Sequence, residues 1–316
     1  MDIFEQIINY FLNTPRVDSW EEMRTLFHRI AFRRPDHWLL PVRACEAVGG
    51  TPDQAIPAAA AFACSHISII LVDDMLDSDP RGEYQHIGAP VAANLACAFQ
   101  SAGLAALAQC AREMEPKLMA LASLNQMILT TALGQYWDIQ CPMDEDDYWR
   151  IVQTKSSPFF GAALHIGALL GGTSVETARG LKGLGDLYGE LIQIHDDLND
   201  SLAVPANPDW TQGRLSLPIL FAQTVEHEER TRFLELRQEI PDEGALLEAQ
   251  DILIRCGAVS YCVDQIWRRQ QTAQGIIAAL SLPRRDVLEA LVEEVVAPVR
   301  KLFDAIGGSL PQAAIP

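Results

Sequence analysis

The chain has 316 residues, 49% of them apolar, and a formal net charge of −18 with a pI of about 4.7. That acidity disfavours nucleic acid, whose binding needs a basic footprint, and an anionic membrane surface. No apolar run approaches the roughly 18 residues of a membrane span, and the acidic start Met1-Asp2-Ile3-Phe4-Glu5 has no basic leader region, so neither a transmembrane segment nor a secretory signal is expected.

The seven cysteines (Cys45, Cys64, Cys97, Cys110, Cys141, Cys256, Cys262) are odd in number and scattered, with no C-x-x-C pair. They read as reduced, packed thiols of a cytoplasmic protein rather than as disulfides or a zinc site.

Helix-forming residues dominate from end to end, and strand-like alternation is scarce. Breaks fall where Pro and Gly gather: near Pro15, then at 35–41, 49–52, 80–90, 141–142, 171–172, 205–208, 240–241 and 282–283. Between them fit roughly ten to thirteen helices of ordinary length. Thr51, Asp144, Thr173 and Asp242 stand at or beside helix N-cap positions. Segments 58–72 and 159–170 are apolar on nearly every face, the mark of central helices in a large bundle. No linker or internal repeat divides the chain. The expectation is therefore one all-α domain over residues 1–316, with atypical N-terminal helices at 1–43 and a frayed tail at 308–316.

Two aspartate clusters interrupt this pattern. The first is Asp73-Asp74-Met75-Leu76-Asp77, the second Asp196-Asp197-Leu198-Asn199-Asp200, and each follows a largely apolar run. A run of that kind buries itself, but carboxylates cannot be buried unpaired. On a helix of about 57–77, Asp73 and Asp77 share a face, with Ile69 and Ile70 one turn below, Ser65 and His66 two turns below, and Phe62 beneath them. Asp196 and Asp200 align likewise over Ile192 and Gln193. Two such helices facing each other make a pocket that is polar at its mouth and apolar below. Six clustered carboxylates repel one another unless cations intervene. Oxygen-rich sets suit Mg2+, which shares its shell with phosphate, and roughly two or three ions would neutralise most of the charge. The alternative reading is a pair of solvated acidic helix ends.

With these motifs in place, residues 44–282 resemble the trans-isoprenyl diphosphate synthases, the polyprenyl synthetase family with the isoprenoid synthase fold. The first cluster fits that family's first aspartate-rich motif. Gln193 and the second cluster fit its Phe-Gln-x-x-Asp-Asp. Gly134-Gln135-Tyr136-Trp137-Asp138 resembles Gly-Gln-x-x-Asp, Lys155-Ser156 resembles Lys-Thr, and Gly213-Arg214-Leu215-Ser216-Leu217-Pro218 resembles Gly-Lys-x-Thr-x-Pro. Each piece is short; their order and spacing together are specific.

The resemblance implies an all-α bundle around a deep central pocket. It also implies a prenyltransferase that condenses an allylic prenyl diphosphate with isopentenyl diphosphate, with Mg2+ as cofactor, acting as a homodimer. Carried over residue by residue, Asp73, Asp74, Asp77, Asp196, Asp197 and Asp200 are the metal ligands. Asp73, Asp77, Asp196 and Lys155 carry catalysis. Lys155, Arg81 and Arg214 hold the allylic diphosphate, and Ser156, Gln193 and Gln135 line the pocket. Ser68 and Ile69, five and four residues before the first motif, bear on chain length, and neither is aromatic.

Two departures touch the isopentenyl half. The loop Asp79-Pro80-Arg81-Gly82-Glu83-Tyr84-Gln85-His86 lacks one Arg and the Pro-Thr of the family pattern. The N-terminal Gly-Gly-Lys-Arg-x-Arg-Pro is unrecognisable, although Arg29, Arg33, Arg34, His37 and Arg43 lie near it out of register. A synthase-like terpene cyclase and a non-catalytic regulatory subunit therefore stand as alternatives.

Overall fold

The computed structural model describes residues 2–140, 144–212 and 216–305; Arg214 and the 308–316 tail lie outside them. Among the described residues there is no strand. Helices α1 (Ile3–Leu12) and α2 (Glu21–Ala31) precede a 3-10 turn (Asp36–Leu39) and α3 (Leu40–Ala47). Then come α4 (Pro52–Leu76), α5 (Tyr84–Ile87), α6 (Ala89–Ala108), α7 (Met114–Asp138), α8 (Glu145–Lys155), α9 (Ser157–Gly171) and α10 (Val175–Ser201). The chain closes with α11 (Asp209–Gln212), α12 (Leu217–Thr224), α13 (Arg230–Glu239), α14 (Glu243–Arg255), α15 (Ala258–Ala279) and α16 (Arg285–Ala305).

These helices outnumber the ten to thirteen expected. α5 and α11 are four-residue turns too short to show periodicity, and Ser156 parts α8 from α9 without leaving helical φ/ψ space. Thr51 with Gln54 forms a capping box on α4, and Asp144 and Asp242 accept from the backbone N–H of Asp147 and Ala245. α10 is capped by Ser174, the residue after Thr173: its backbone is extended, and its Oγ accepts from Thr177 N at 3.1 Å.

Helix α4 explains why its sequence has no polar face. One side contributes Ala58, Ala61 and Phe62 to a core shared with α7, α9, α10 and the C-terminal helices. The other contributes Ala59, Ala60, Ala63, Ile67 and Leu71 to a second core, closed by α1, α2 and α6. The N-terminal helices are thus integral to the packing. Phe11 stacks on Phe27 with centroids 3.8 Å apart, and Phe27 meets Trp38 at 5.4 Å. Each such buried aromatic contributes about 1.5–3 kcal/mol. α4 and α6 are long and apolar enough to cross a membrane by length and composition, a test the short apolar runs of the sequence did not foreshadow. The apolar window of α4 is 78% buried within the protein, as a core helix requires.

Helix α9 packs on α3, α4, α7 and α10, and nearly all of its length is buried. Close approach depends on missing side chains. A Cβ on Gly185 of α10 would lie 2.4 Å from Phe160 O, and one on Gly134 of α7 would lie 2.3 Å from Lys155 N. Backbone cannot yield as a flexible side chain can. Gly134→Ala is therefore expected to cost about 1–3 kcal/mol and to push Lys155 out of place. Urea denaturation should show a lower midpoint at unchanged slope; an unchanged midpoint would contradict the packing described.

Candidate active site

The C-terminal turn of α4 carries Asp73 and Asp74, and Asp77 is its C-cap. All three are half-buried. Across from them, at the end of α8, Lys155 Nζ lies 3.4 Å from Asp73 Oδ1 and 2.5 Å from Asp138 Oδ2. One ammonium therefore ties together the ends of α4, α7 and α8. Burial acts to lower the Lys155 pKa, but Asp73 and Asp138 outweigh it and hold the group above its ordinary value. Burial raises Asp73 in turn, Lys155 opposes this, and Asp77 adds to it. Asp138 was quoted in the sequence only as a motif residue; its position three residues after Gln135 is the signal that places it here.

The second cluster divides. Asp196 projects into solvent with a 59% exposed side chain beside His195, and Asp200 is half-buried, its pKa raised by burial and by Asp196. Asp197 turns the other way and is 6% exposed. Its Oδ2 accepts from Tyr148 Oη and Leu217 N, both at 2.7 Å, and its Oδ1 accepts from Gln193 Nε2 at 2.9 Å. Burial pushes its pKa up to about 6 against these bonds. Asp197, expected as a metal ligand, thus also holds α8, α10 and α12 together. Gln193 also accepts from Ser156 Oγ at 2.8 Å, so the residue after Lys155 is fixed to α10.

A 130 Å3 cavity is lined by Asp138, Lys155, Ser156, Gln193, Asp197 and Asp209 among others. Ser68, Ile69 and Gln135 line a second, of 70 Å3, between α4, α6 and α7. A larger groove of 650 Å3 between α7, α9 and α10 contains none of the expected site residues. Arg81 departs from its expected place. It is 83% exposed and folded onto Asp79, with Nη2–Oδ2 2.9 Å and Nε–Oδ1 3.1 Å. It lines a 480 Å3 groove on the α2 side of α4, with Arg29, Arg33, His37, Asp74 and His86. The sequence had left these basic residues out of register; helix packing gathers them.

Among the described residues, no three His, Cys, Asp or Glu side chains converge tightly enough to hold an ion by themselves. Asp73, Asp77, Asp196 and Asp200 nevertheless offer oxygen donors alone, and Asp73 Oδ1 is buried with Lys155 Nζ 3.4 Å away. Such a set fits Mg2+, which takes one or two carboxylates and completes its octahedron with water and phosphate.

The different settings of neighbouring aspartates can be measured. Asp197→Ala should cost about 2–4 kcal/mol of folding stability, because it strands Tyr148 Oη and Leu217 N. Asp196→Ala should stay within about 0.5 kcal/mol of wild type. Equal losses in urea denaturation would contradict the division.

The family profile described as polyprenyl synthetase matches residues 34–252. A short chain isoprenyl diphosphate synthase of Methanothermobacter thermautotrophicus is 29% identical over 237 residues, covering 70% of this chain and 73% of that protein. An octaprenyl diphosphate synthase of Escherichia coli is 24% identical, covering 80% and 81%. The fold is similar to that of a geranylgeranyl pyrophosphate synthetase from Pyrococcus horikoshii, with a TM-score of 0.80, 22% identity, and 93% and 94% of the two chains covered. A polyprenyl synthase from Caulobacter crescentus, solved with calcium and isoprenyl diphosphate, matches with a TM-score of 0.76 at 20% identity, over 93% of each chain. With the profile spanning well over half the chain and the fold shared along nearly all of it, the chain belongs to the polyprenyl synthetase family, the trans-isoprenyl diphosphate synthases, and is a prenyltransferase.

Proposed function

We propose that this prenyltransferase condenses an allylic prenyl diphosphate with isopentenyl diphosphate to make a longer prenyl diphosphate. The observation that carries the reading is Lys155, clamped by Asp138 against Asp73 at the end of α4. Asp73, Asp77, Asp196 and Asp200 would hold Mg2+, which when bound neutralises the diphosphate and acts as a Lewis acid on the departing oxygens. Lys155 places a fixed positive charge where negative charge develops as the allylic C–O bond breaks. Ser156 and Gln193, bonded to each other, keep the Lys155 backbone in register with α10. The isopentenyl double bond attacks the allylic carbon, and a proton then leaves to the released diphosphate.

The groove on the other side of α4 suits the isopentenyl diphosphate. Arg33 has no ion pair among the described residues, whereas Arg29 pairs with Glu83 and Arg81 with Asp79. Exposed pairs of this kind are worth only about 0–1 kcal/mol, so a diphosphate can displace them. Asp74 lines this groove rather than facing Lys155. The same engaged arginines are what a cyclase without isopentenyl diphosphate would show, and the assay separates the two. With Mg2+ and farnesyl or geranylgeranyl diphosphate, mass analysis should find a longer diphosphate only when isopentenyl diphosphate is present. EDTA, Asp73→Ala or Asp196→Ala should abolish it. Arg33→Ala with Arg81→Ala should raise KM for isopentenyl diphosphate about tenfold or more, as loss of charge-assisted hydrogen bonds implies, and leave the allylic KM nearly unchanged. A hydrocarbon or alcohol formed equally well without isopentenyl diphosphate would overturn the condensation.

A homodimer is part of the proposal. Leu118, Leu129, Leu133 and Tyr136 stand 44–64% exposed along one face of α7, with Val91 of α6 exposed as well. An apolar stripe of that length on the surface calls for a partner. Light scattering should report a dimer for the wild-type chain and a monomer for Leu129→Glu with Leu133→Glu; a wild-type monomer would contradict it.

A further inference from the structure

The groove between α7, α9 and α10 has no part in the chemistry above. Its volume of 650 Å3 lies within the span of small-molecule sites, about 300–1,000 Å3. Met119, Met127, Pro158 and Ala162 give it an apolar floor. Two polar side chains of α9 line it without partners. They are Ser157 Oγ and His165 Nε2, in residues only 2% and 8% exposed. Buried polar groups are rarely left orphaned, so two along one groove point to an occupant.

The charges say what kind of occupant. His165 Nδ1 lies 3.0 Å from Ser123 Oγ. Burial, with Lys182 and Arg179 nearby, lowers the His165 pKa to about 4, so the ring is neutral at pH 7. A Ser123 hydroxyl donating to Nδ1 leaves the ring proton on Nε2, which then seeks an acceptor. The same cations make the ring too weak a base to activate Ser123 as a nucleophile. Recognition remains. Lys182 is bonded to Asp186 at 2.8 Å, and Glu190 accepts from Arg269 and Gln153. Arg179 is exposed and makes no ion pair among the described residues. The unmatched charge is therefore positive and stands near His165. Ser157 lies eight residues before His165 in α9, about 12 Å along the helix. We propose that the groove is an effector site for an amphiphile with a phosphate or carboxylate head. Arg179 and His165 Nε2 hold the head, and the apolar body runs over Met119, Met127 and Ala162 toward Ser157. At that far end Gln153 and Ser157 flank Lys155 and Ser156 in the chain. An occupant reaching Ser157 presses on the joint where α8 passes into α9, and so on the Lys155 ammonium outside the reaction pocket.

Binding is tested on the full chain in EDTA, where the aspartate rim holds no metal. Calorimetric titration compares decyl phosphate and decanoate with inorganic phosphate, which has no tail, and decanol, which has no charge. Decyl phosphate or decanoate should bind once per chain, about tenfold or more tighter than either control; the tighter of the two names the head. Arg179→Ala should weaken that binding about tenfold, as loss of a charge-assisted hydrogen bond implies. Its thermal unfolding should match the wild type, because Arg179 is exposed. Decanol binding as tightly as the charged amphiphiles, or equal affinity in Arg179→Ala, would overturn the site. The effector role rests on the proposed condensation and is read separately. With Mg2+ and both prenyl substrates, the bound amphiphile should change the allylic KM of the wild type about fivefold and leave Arg179→Ala unaffected. The same change in Arg179→Ala would place the amphiphile in the reaction pocket and overturn the effector role, as would no change in the wild type. Failure of the wild type to consume isopentenyl diphosphate would overturn the condensation instead, while the titration in EDTA still judges the site.

Discussion

Helix α4 is buried on both faces, and the rest of the structure follows from that constraint. A helix lying between two cores can carry no charge along its length. Its carboxylates are therefore confined to its two ends, Asp53 in the first turn and, at the last, Asp73, Asp74 and the C-cap Asp77. The latter three stand at the C-terminal, negative end of the helix dipole, which disfavours them further. Nothing in the packing of α4 rewards them there. A cation must, and within the protein that cation is Lys155, itself fixed by Asp138.

The same logic separates the second cluster. α10 has a polar side, so its aspartates are free to take different settings. Asp197 faces inward and accepts three hydrogen bonds that join α8, α10 and α12. Asp196 faces water. One motif thus combines a structural anchor with a solvent-facing carboxylate. The anchor passes through Gln193 to Ser156, and so reaches the backbone beside Lys155. The cation and the two acidic helices form one connected unit, positioned before any substrate arrives. Such preorganisation matters where charge must be stabilised as a bond breaks.

Much of this was legible in the sequence. The all-helical class, the apolar segments 58–72 and 159–170 as central helices, and three of the four caps could be read from composition, periodicity and turn residues. The family could be read from the order of its short motifs, and the profile match bears it out. What could not be read were the long-range pairings. Tyr148 and Asp197 are 49 residues apart, and no local pattern links them. Asp197 matched the motif as well as Asp196 did, because a motif records residue type and not the direction a side chain takes. Arg81 was assigned to the allylic side by its place after the first cluster, yet the turn that follows α4 carries it to the opposite groove. There it joins Arg29 and Arg33, whose register was lost in sequence because helix packing, not spacing, brings them near.

The central claim is that carboxylates from α4 and α10 jointly hold divalent metal and diphosphate opposite Lys155. Its most direct test is an anomalous difference map from crystals of the full chain soaked with Mn2+ and pyrophosphate. The expected map shows metal peaks bounded by Asp73, Asp77, Asp196 and Asp200, with the pyrophosphate between them and Lys155. Asp197 should keep its bonds to Tyr148, Gln193 and Leu217. Metal bound to either helix alone, or pyrophosphate seated away from Lys155, would contradict it.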